Sequence, residues 1–552
     1  MSTALPGLMM DVPLTTAHLL WRMRAVHPDA RVSTVTDASG ACRTTTFGAV
    51  AERVDRLAAA LAELGVGVGT RVGSFAWNTQ EHLEIYYAVM GMGAVLHTIN
   101  LRLHEDTIAY TVEHAGDEVI LLDATLAERF LPVLARVRGV RHVVVVGALP
   151  DGVEVPDALD YDTLLDGAGS YDWPELDERA AASLCYTSGT TGHPKGVLYS
   201  HRSIVLHALA MAGTDAYGIS RRDRVLSIVP MFHAMGWGLP FVCAVAGADL
   251  VMPAAHLQPG PVGRVVDEQG VTWSCGVPTV WMDVLRHADE MARTGGRPVT
   301  LATLRTVISG GTQVPESLMR AYAERFGVDL VQGWGMTEIF PGATLSMDQG
   351  ADDPERWSHR GAAGRVSPLY ELRVTGEDGS TLPSDGASVG EVEVRGPAVA
   401  GAYFAPGTDT ADRFHDGWLR TGDVGTLDRR GWLRITDRSK DAIKSGGEWI
   451  SSVDLEAELM AHDAVREAAV VGRPDPRWSE RPFAYVVADR PVTVDELRDF
   501  LATRVARWWL PDGYAFVEEI PRTSTGKFDK LVLRGQLSSS ASATMIPEGP
   551  RR

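Results

Sequence analysis

The stretch Tyr186-TSGTTGHPKG gathers groups that bind anions. Gly189, Gly192 and Gly196 let backbone N–H groups turn toward a charge with no Cβ in the way. Thr187, Ser188, Thr190 and Thr191 add hydroxyl donors, and Lys195 adds a mobile positive charge. The expected ligand is an oligophosphate, held where a strand runs through the loop into a helix. The string is not a Walker A loop, because His193 and Pro194 separate Gly192 from Lys195.

Elements must hold that loop, and the chain supplies them in alternation. Phe47 to Leu64 has apolar residues at three- and four-residue spacing and reads as a helix. Glu81 to Met92 reads as a second helix. Val119–Asp123 and Val143–Gly147 are β-branched runs of the kind buried in parallel sheets. The alternation resumes after Ala181, with short strands starting at Arg224, Asp249, Val271, Leu304 and Asp329. From Gly364 to Asp437, closely spaced Gly/Asp turns predict a β-rich, antiparallel part. A small α/β unit follows, with helices over 452–461 and 494–509 and strands from Glu467 and Phe483. The fold class is therefore α/β: a large N-terminal domain of layered α/β subdomains plus a β-rich subdomain, and a small C-terminal α/β domain. The tail, 538–552, is polar and aperiodic and is expected to be disordered.

Composition narrows the function. The 552 residues carry 71 acidic and 52 basic side chains, a net charge of −19. That field repels nucleic acid and anionic lipid, so neither is an expected partner. The four cysteines are scattered without a CxxC pair, which fits a reducing cytoplasm rather than a disulfide or zinc framework. The longest apolar stretch, Leu239 to Ala255, is too broken by Gly, Pro and Asp to span a bilayer.

The loop resembles the signature of the adenylate-forming superfamily, which includes acyl-CoA synthetases, peptide-synthetase adenylation domains and firefly luciferase. Gly333-WGMTE, Arg420-TGD, Asp437-RSKDAIKSGGEWIS and Pro521-RTSTGK resemble its further motifs in the same order. Val229-PMFHAMGWGLP and Met92-GAVLHTINLRL resemble bacterial fatty acyl-CoA synthetases of the long-chain type. The resemblance implies ATP, Mg²⁺ and coenzyme A as co-substrates and cofactor, and a hydrophobic carboxylic acid joined to CoA through an acyl-adenylate. It implies an N-terminal adenylation domain over 1–437, a hinge at 438–440 and a mobile C-terminal lid over 441–537. A homodimer is implied as well.

Residue roles follow from the same resemblance. Thr187 and Glu338 offer hard oxygen ligands to Mg²⁺. Asp423 is an acceptor for the ribose hydroxyls, and Trp334, in place of a more usual Tyr, is a face for adenine. Gly311, Gln332, Gly333 and Thr337 line the nucleotide pocket, and Arg438 contacts ribose or phosphate. Lys527 bridges the carboxylate and the α-phosphate during adenylation. Lys440 marks the hinge, and Lys444, Gly446, Gly447 and Glu448 form the loop that lines the site for CoA. His233 lies near the carboxylate, and Trp237 gates an acyl tunnel completed by Thr312 and Gln313. Gln313 brings a polar amide to that tunnel, which favours the alternative of an aryl or cinnamate-type acid, or of a nucleophile other than CoA. A non-catalytic relative is disfavoured because Lys527, Glu338 and Asp423 are all present.

Overall fold

A computed structural model describes residues 5, 7–187, 193–350, 352–404, 412–438, 441, 443–445, 448–523, 527–539 and 544–545, with backbone alone at 438, 444, 448, 449, 538, 539, 544 and 545. Among the described residues the strands form three sheets, of 7, 14 and 6 strands.

The helix Phe47–Glu63 shows how local sequence sets an element. Thr46 accepts a hydrogen bond from the Ala49 N–H and caps the start. Phe47, Val50, Val54, Leu57 and Leu61 fall on one face and are buried. Gly65, at φ +82°, ends it. Each of those side chains contributes roughly 1.5–3 kcal/mol by leaving water.

In the seven-stranded sheet, Arg71–Phe75, Val95–Thr98, Val119–Asp123 and His142–Val146 run parallel, and Ala181–Tyr186 joins beside Val95–Thr98. The larger sheet centres on the parallel strands Trp273–Gly276, Thr306–Gly310 and Asp329–Trp334. The β-rich part grows from the edge of this sheet rather than standing apart. Thr344–Leu345 pairs antiparallel with Asp329–Trp334, then with Gly364–Val366, which pairs with Trp432–Arg438. One continuous sheet thus carries both the Trp334 and the Asp423 segments.

The C-terminal sheet is built on Val465–Asp475 and Ser479–Ala488. Its second helix differs from expectation: it spans Val494–Ala502 and stops well before Trp509. Thr503 and Val505 are β-branched, and a separate short turn follows at Arg507–Trp509. Within the tail, Thr544–Met545 pairs with Gly513–Phe516, since the exposed edge of that strand can bond any extended backbone. The rest of the tail after Ser539 lies outside the described residues.

Three histidines sit wholly inside the large domain. Burial holds His82, His201 and His207 each near pKa 4, against an ordinary 6.5. His82 Nδ1 donates to the Trp77 carbonyl at 2.9 Å, a contact that favours the charged ring but is outweighed by burial. In the unfolded chain these rings protonate first as pH falls. The stability they lend above pH 6.5 is therefore lost progressively toward pH 4, by roughly 2 kcal/mol per group at pH 5. Thermal melting should drop between pH 7 and pH 5, and His82→Asn should make that decline shallower. A melting temperature constant over this range would contradict the assignment.

Candidate active site

A cavity of about 690 Å³ opens between the two domains. Thr187, Lys195, His233, Trp237, Glu338 and Lys527 all line it. A second cavity, of about 280 Å³, adjoins it and holds Asp423, Gln332 and Asp437. The two share Gly311, Gly333, Trp334 and Lys527, so the lysine stands at their junction.

Lys527 reaches this point from the small domain. The Thr523 N–H donates to the Lys527 carbonyl at 2.8 Å, and the Asp529 N–H to Pro521 at 2.7 Å, closing the loop at both ends. Arg522 pairs with Glu467 at 3.0 Å. Three residues past Lys527, the buried Lys530 ammonium pairs with Glu456 at 2.7 Å and donates to Ser452 Oγ at 2.6 Å. Loss of either partner would strand a charge in the interior. Lys527 Cε then lies 3.6 Å from where a side chain on Gly311 would begin. Gly311 is at φ +89°, a backbone conformation that favours glycine, and a Cβ there would be in ordinary contact with the lysine.

Glu338 is 4% exposed on a short turn, Thr337–Ile339. The segment after it is fixed by its own main chain. Tyr370 Oη donates to the carbonyls of Ile339 and Phe340, each at 2.9 Å, His207 Nε2 donates to Pro341 at 2.8 Å, and the Ala400 N–H donates to the Glu338 carbonyl at 2.7 Å. Tyr199 holds the Thr337 carbonyl. Tyr403 Oη donates to Glu338 Oε1, and Arg413 Nη2 lies 3.6 Å from the same oxygen.

The phosphate loop departs from expectation. It joins Ala181–Tyr186 to Gly196–Ser200, an antiparallel hairpin, and the helix His201–Met211 begins only after the second strand. The run Val197, Leu198, Tyr199 is extended and half-buried, as its β-branched and aromatic residues favour. The helix that follows in sequence thus starts at the far end of the second strand. Lys195 supplies positive charge at the loop's base. The base is closed by Thr187 and Lys195, with N–H to carbonyl at 2.9 Å one way and N–H to Thr187 Oγ1 at 3.0 Å the other. Ser188, Gly189, Thr190 and Thr191 lie outside the described residues.

The second cavity draws Trp334 and Asp423 together. Trp334 Nε1 donates to Asp423 Oδ2 at 2.8 Å, across 89 residues of sequence. Gln332 acts on the wall rather than toward the space: its side-chain oxygen accepts from Val314 N–H at 2.7 Å and its amide donates to Ala362 at 3.1 Å. Thr312 and Gln313 were expected in the acyl tunnel. They line this second cavity, beyond Gly311, and do not line the one that holds Trp237. The bend at Gly311 turns the chain away, which spacing alone does not reveal.

Around Trp237 the backbone is left-handed for five residues. Ala234, Met235, Gly236, Trp237 and Gly238 have φ of +36°, +47°, +60°, +52° and +75°. Each non-glycine residue there costs about 1–2 kcal/mol. Packing imposes the turn: Asn78 binds the Val229 carbonyl at 2.8 Å and the Met231 N–H at 2.7 Å, and Tyr217 Oη donates to Trp237 at 3.2 Å. The Trp237 indole ends 3.5 Å from where a Gly310 side chain would begin. His233 lines the cavity beside it. Burial first, then Lys527 and Arg102, hold its ring near pKa 4 and so neutral.

Arg438, Lys444 and Glu448 are placed by backbone only: Arg438 ends the strand Trp432–Arg438, Lys444 is the middle residue of Ile443–Ser445, and Glu448 opens Glu448–Ile450. Lys440, Gly446 and Gly447 lie outside the described residues. Sequence reasoning missed Tyr403, Arg413 and Tyr217, which reach the cavity from segments with no motif of their own.

Similarity to known proteins settles what this architecture is. A model of the AMP-binding enzyme matches residues 20–404, and one of the AMP-binding enzyme C-terminal domain matches 454–527. The chain belongs to the AMP-binding enzyme family. A long-chain-fatty-acid–CoA ligase of Thermus thermophilus is 43% identical over 548 residues, 97% of each chain. A 3-methylmercaptopropionyl-CoA ligase of Ruegeria lacuscaerulensis is 40% identical over 547 residues, 97% of this chain and 99% of that one. The structure of the anthranilate CoA ligase AuaEII with anthranoyl-AMP superimposes with a TM-score of 0.86 at 26% identity, over 96% of this chain and 99% of that one. The AMP-binding enzyme described here is accordingly an ATP-dependent, AMP-forming acid–CoA ligase. Its α/β fold, with a large N-terminal and a small C-terminal domain, is that of acyl-CoA synthetases.

The indole–carboxylate bond gives a test. Trp334→Phe keeps the ring face and removes the N–H from a buried carboxylate. A hydrogen bond to a charged group contributes roughly 1.5–3 kcal/mol. AMP affinity, by calorimetry, should fall about tenfold or more, with kcat little changed. An unaltered AMP affinity would show that this pair does not shape the nucleoside site.

Proposed function

We propose that this ligase activates an unbranched aliphatic acid of medium to long chain, through the acyl-adenylate, and passes it to CoA. One observation carries the acid class. Tyr217, Ile308 and Leu345 line the cavity together with Trp237 and belong to the same apolar cluster. Such a wall gains from each methylene removed from water and offers no charged partner to a second polar end. The relatives named for long- and medium-chain fatty acids support the same class. The aromatic alternative rested on Gln313, which lies outside this cavity.

The residues divide as follows. Trp334 and Asp423 receive adenine and ribose in the smaller cavity. Lys195 and the loop donors hold the triphosphate. Lys527, at the junction, meets the acid carboxylate and the α-phosphate together, and charge develops there as the bond forms. His233, neutral, can donate a hydrogen bond to the carboxylate without adding charge. Mg²⁺ fits this chemistry. Among the described residues no cluster of three His, Cys, Asp or Glu could hold it, so the ion would take Glu338 and mostly phosphate oxygens, as Mg²⁺ prefers. Bound there, it would screen the phosphates. Thr187 Oγ1 accepts one hydrogen bond from the Lys195 N–H and keeps a lone pair that can join Glu338 on the ion.

The test is a panel of acids: hexanoate to palmitate, 3-methylmercaptopropionate, benzoate and anthranilate. Substrate-dependent pyrophosphate release and product mass would be read with and without CoA. Among saturated acids kcat/KM should climb about three- to fourfold per methylene, the yield of about 0.8 kcal/mol each, until the cavity is full. The thioether acid should behave as a short apolar chain. Faster turnover of benzoate or anthranilate than of every aliphatic acid would overturn the assignment.

A further inference from the structure

Arg413 is a cation in the active cavity that no motif marks, and its placement is unusual. Its guanidinium lines the cavity beside Thr187, Lys195 and Glu338. Nη2 donates to the Thr421 carbonyl at 3.2 Å and lies 3.6 Å from Glu338 Oε1, an ion pair too long for a good hydrogen bond. Its Nε is buried and has no hydrogen-bond partner among the described residues. Tyr403 links the group: its hydroxyl binds Glu338, Lys195 Nζ sits 4.9 Å from its ring centre, and Arg413 Cζ sits 6.0 Å from the same centre. Two cations therefore flank one ring on the phosphate side of the cavity. The Tyr403 phenol is held neutral, its ionisation pushed up by burial and by Glu338.

We propose that Arg413 is a pyrophosphate-binding residue that rests on Glu338 and turns to the β- and γ-phosphates when a divalent cation takes that carboxylate. This rests on the reading of the cavity as the adenylation site. A dication and a guanidinium compete for one carboxylate oxygen, and the released guanidinium has donors arranged to fit phosphate. In the reaction a carboxylate oxygen of the acid bonds to the α-phosphorus. The bond from that phosphorus to the α–β bridging oxygen breaks, and its electron pair leaves with pyrophosphate, with no proton required. Arg413 would meet the charge gathering on that leaving group, while Lys527 meets the other side of the same phosphorus.

Binding of pyrophosphate and of ATP is measured by calorimetry without any acid, first in EDTA and then with Mg²⁺. With Mg²⁺ present, Arg413→Gln should weaken pyrophosphate binding about ten- to hundredfold, the value of a lost charge-assisted contact, and in EDTA, where Arg413 rests on Glu338, the loss should be smaller. Arg413→Lys should recover part of the loss, as a point charge that cannot fork, and stands in if the Gln variant fails to fold. In titrations with ATP, the Mg²⁺ concentration for half-effect should fall in Arg413→Gln, because the competitor for Glu338 is gone. Unchanged pyrophosphate affinity with Mg²⁺ in both variants would overturn the proposal and leave Arg413 as a tether for Glu338. Because no acid enters the measurement, a wrong acid class would leave this result standing.

Discussion

A carboxylate must approach a triphosphate, and the two repel. Everything in the site answers that repulsion with positive charge brought from separate places. Lys195 comes from the hairpin of the first sheet, Arg413 from the β-rich part, and Lys527 from the small domain. Only Lys527 lies at the junction of the two cavities, where nucleoside and phosphate sides meet. It packs over Gly311, whose positive φ favours glycine. A contact between domains of this kind can be made and broken, whereas Lys195 and Arg413 belong to the large domain.

The large domain is built to hold Glu338 and the acyl wall in place. Glu338 is positioned through main-chain carbonyls, held by Tyr199, His207 and Tyr370 from inside the core. Anchoring the segment through its backbone fixes Glu338 without drawing on its carboxyl group, whose Oε1 meets Tyr403 and Arg413. The left-handed run at Ala234–Gly238 is the counterpart on the acyl side. Its strain is sustained by Asn78 and Tyr217, and it presents Trp237 to the cavity in a way that a relaxed turn would not.

Much of this was legible in the sequence because several segments advertise themselves. Phe47–Glu63 and the β-branched strands follow simple periodicity, and the ordered motifs around Thr187, Trp334, Asp423 and Lys527 do converge. What escaped has physical causes. The hairpin after the phosphate loop was read as strand-to-helix because Gly196–Ser200 is short and a helix does follow at once. Thr312 and Gln313 were put in the acyl tunnel because linear spacing does not show that Gly311 turns the chain at positive φ. Arg413 and Tyr403 gave no local signal at all. Their partner, Glu338, lies 65 residues from Tyr403, and such a cluster exists only once the fold is made.

The central claim is that the small domain delivers Lys527 to the adenylation step and that the second step does not need it there. The direct measurement is the rate of each half-reaction in Lys527→Ala: acyl-AMP formation from ATP and acid, and thioester formation from supplied acyl-AMP and CoA. The account predicts that the first falls by about a hundredfold or more, as for loss of a charge aimed at the transition state, while the second stays near the unaltered rate. Equal loss in both half-reactions, or none in the first, would contradict it.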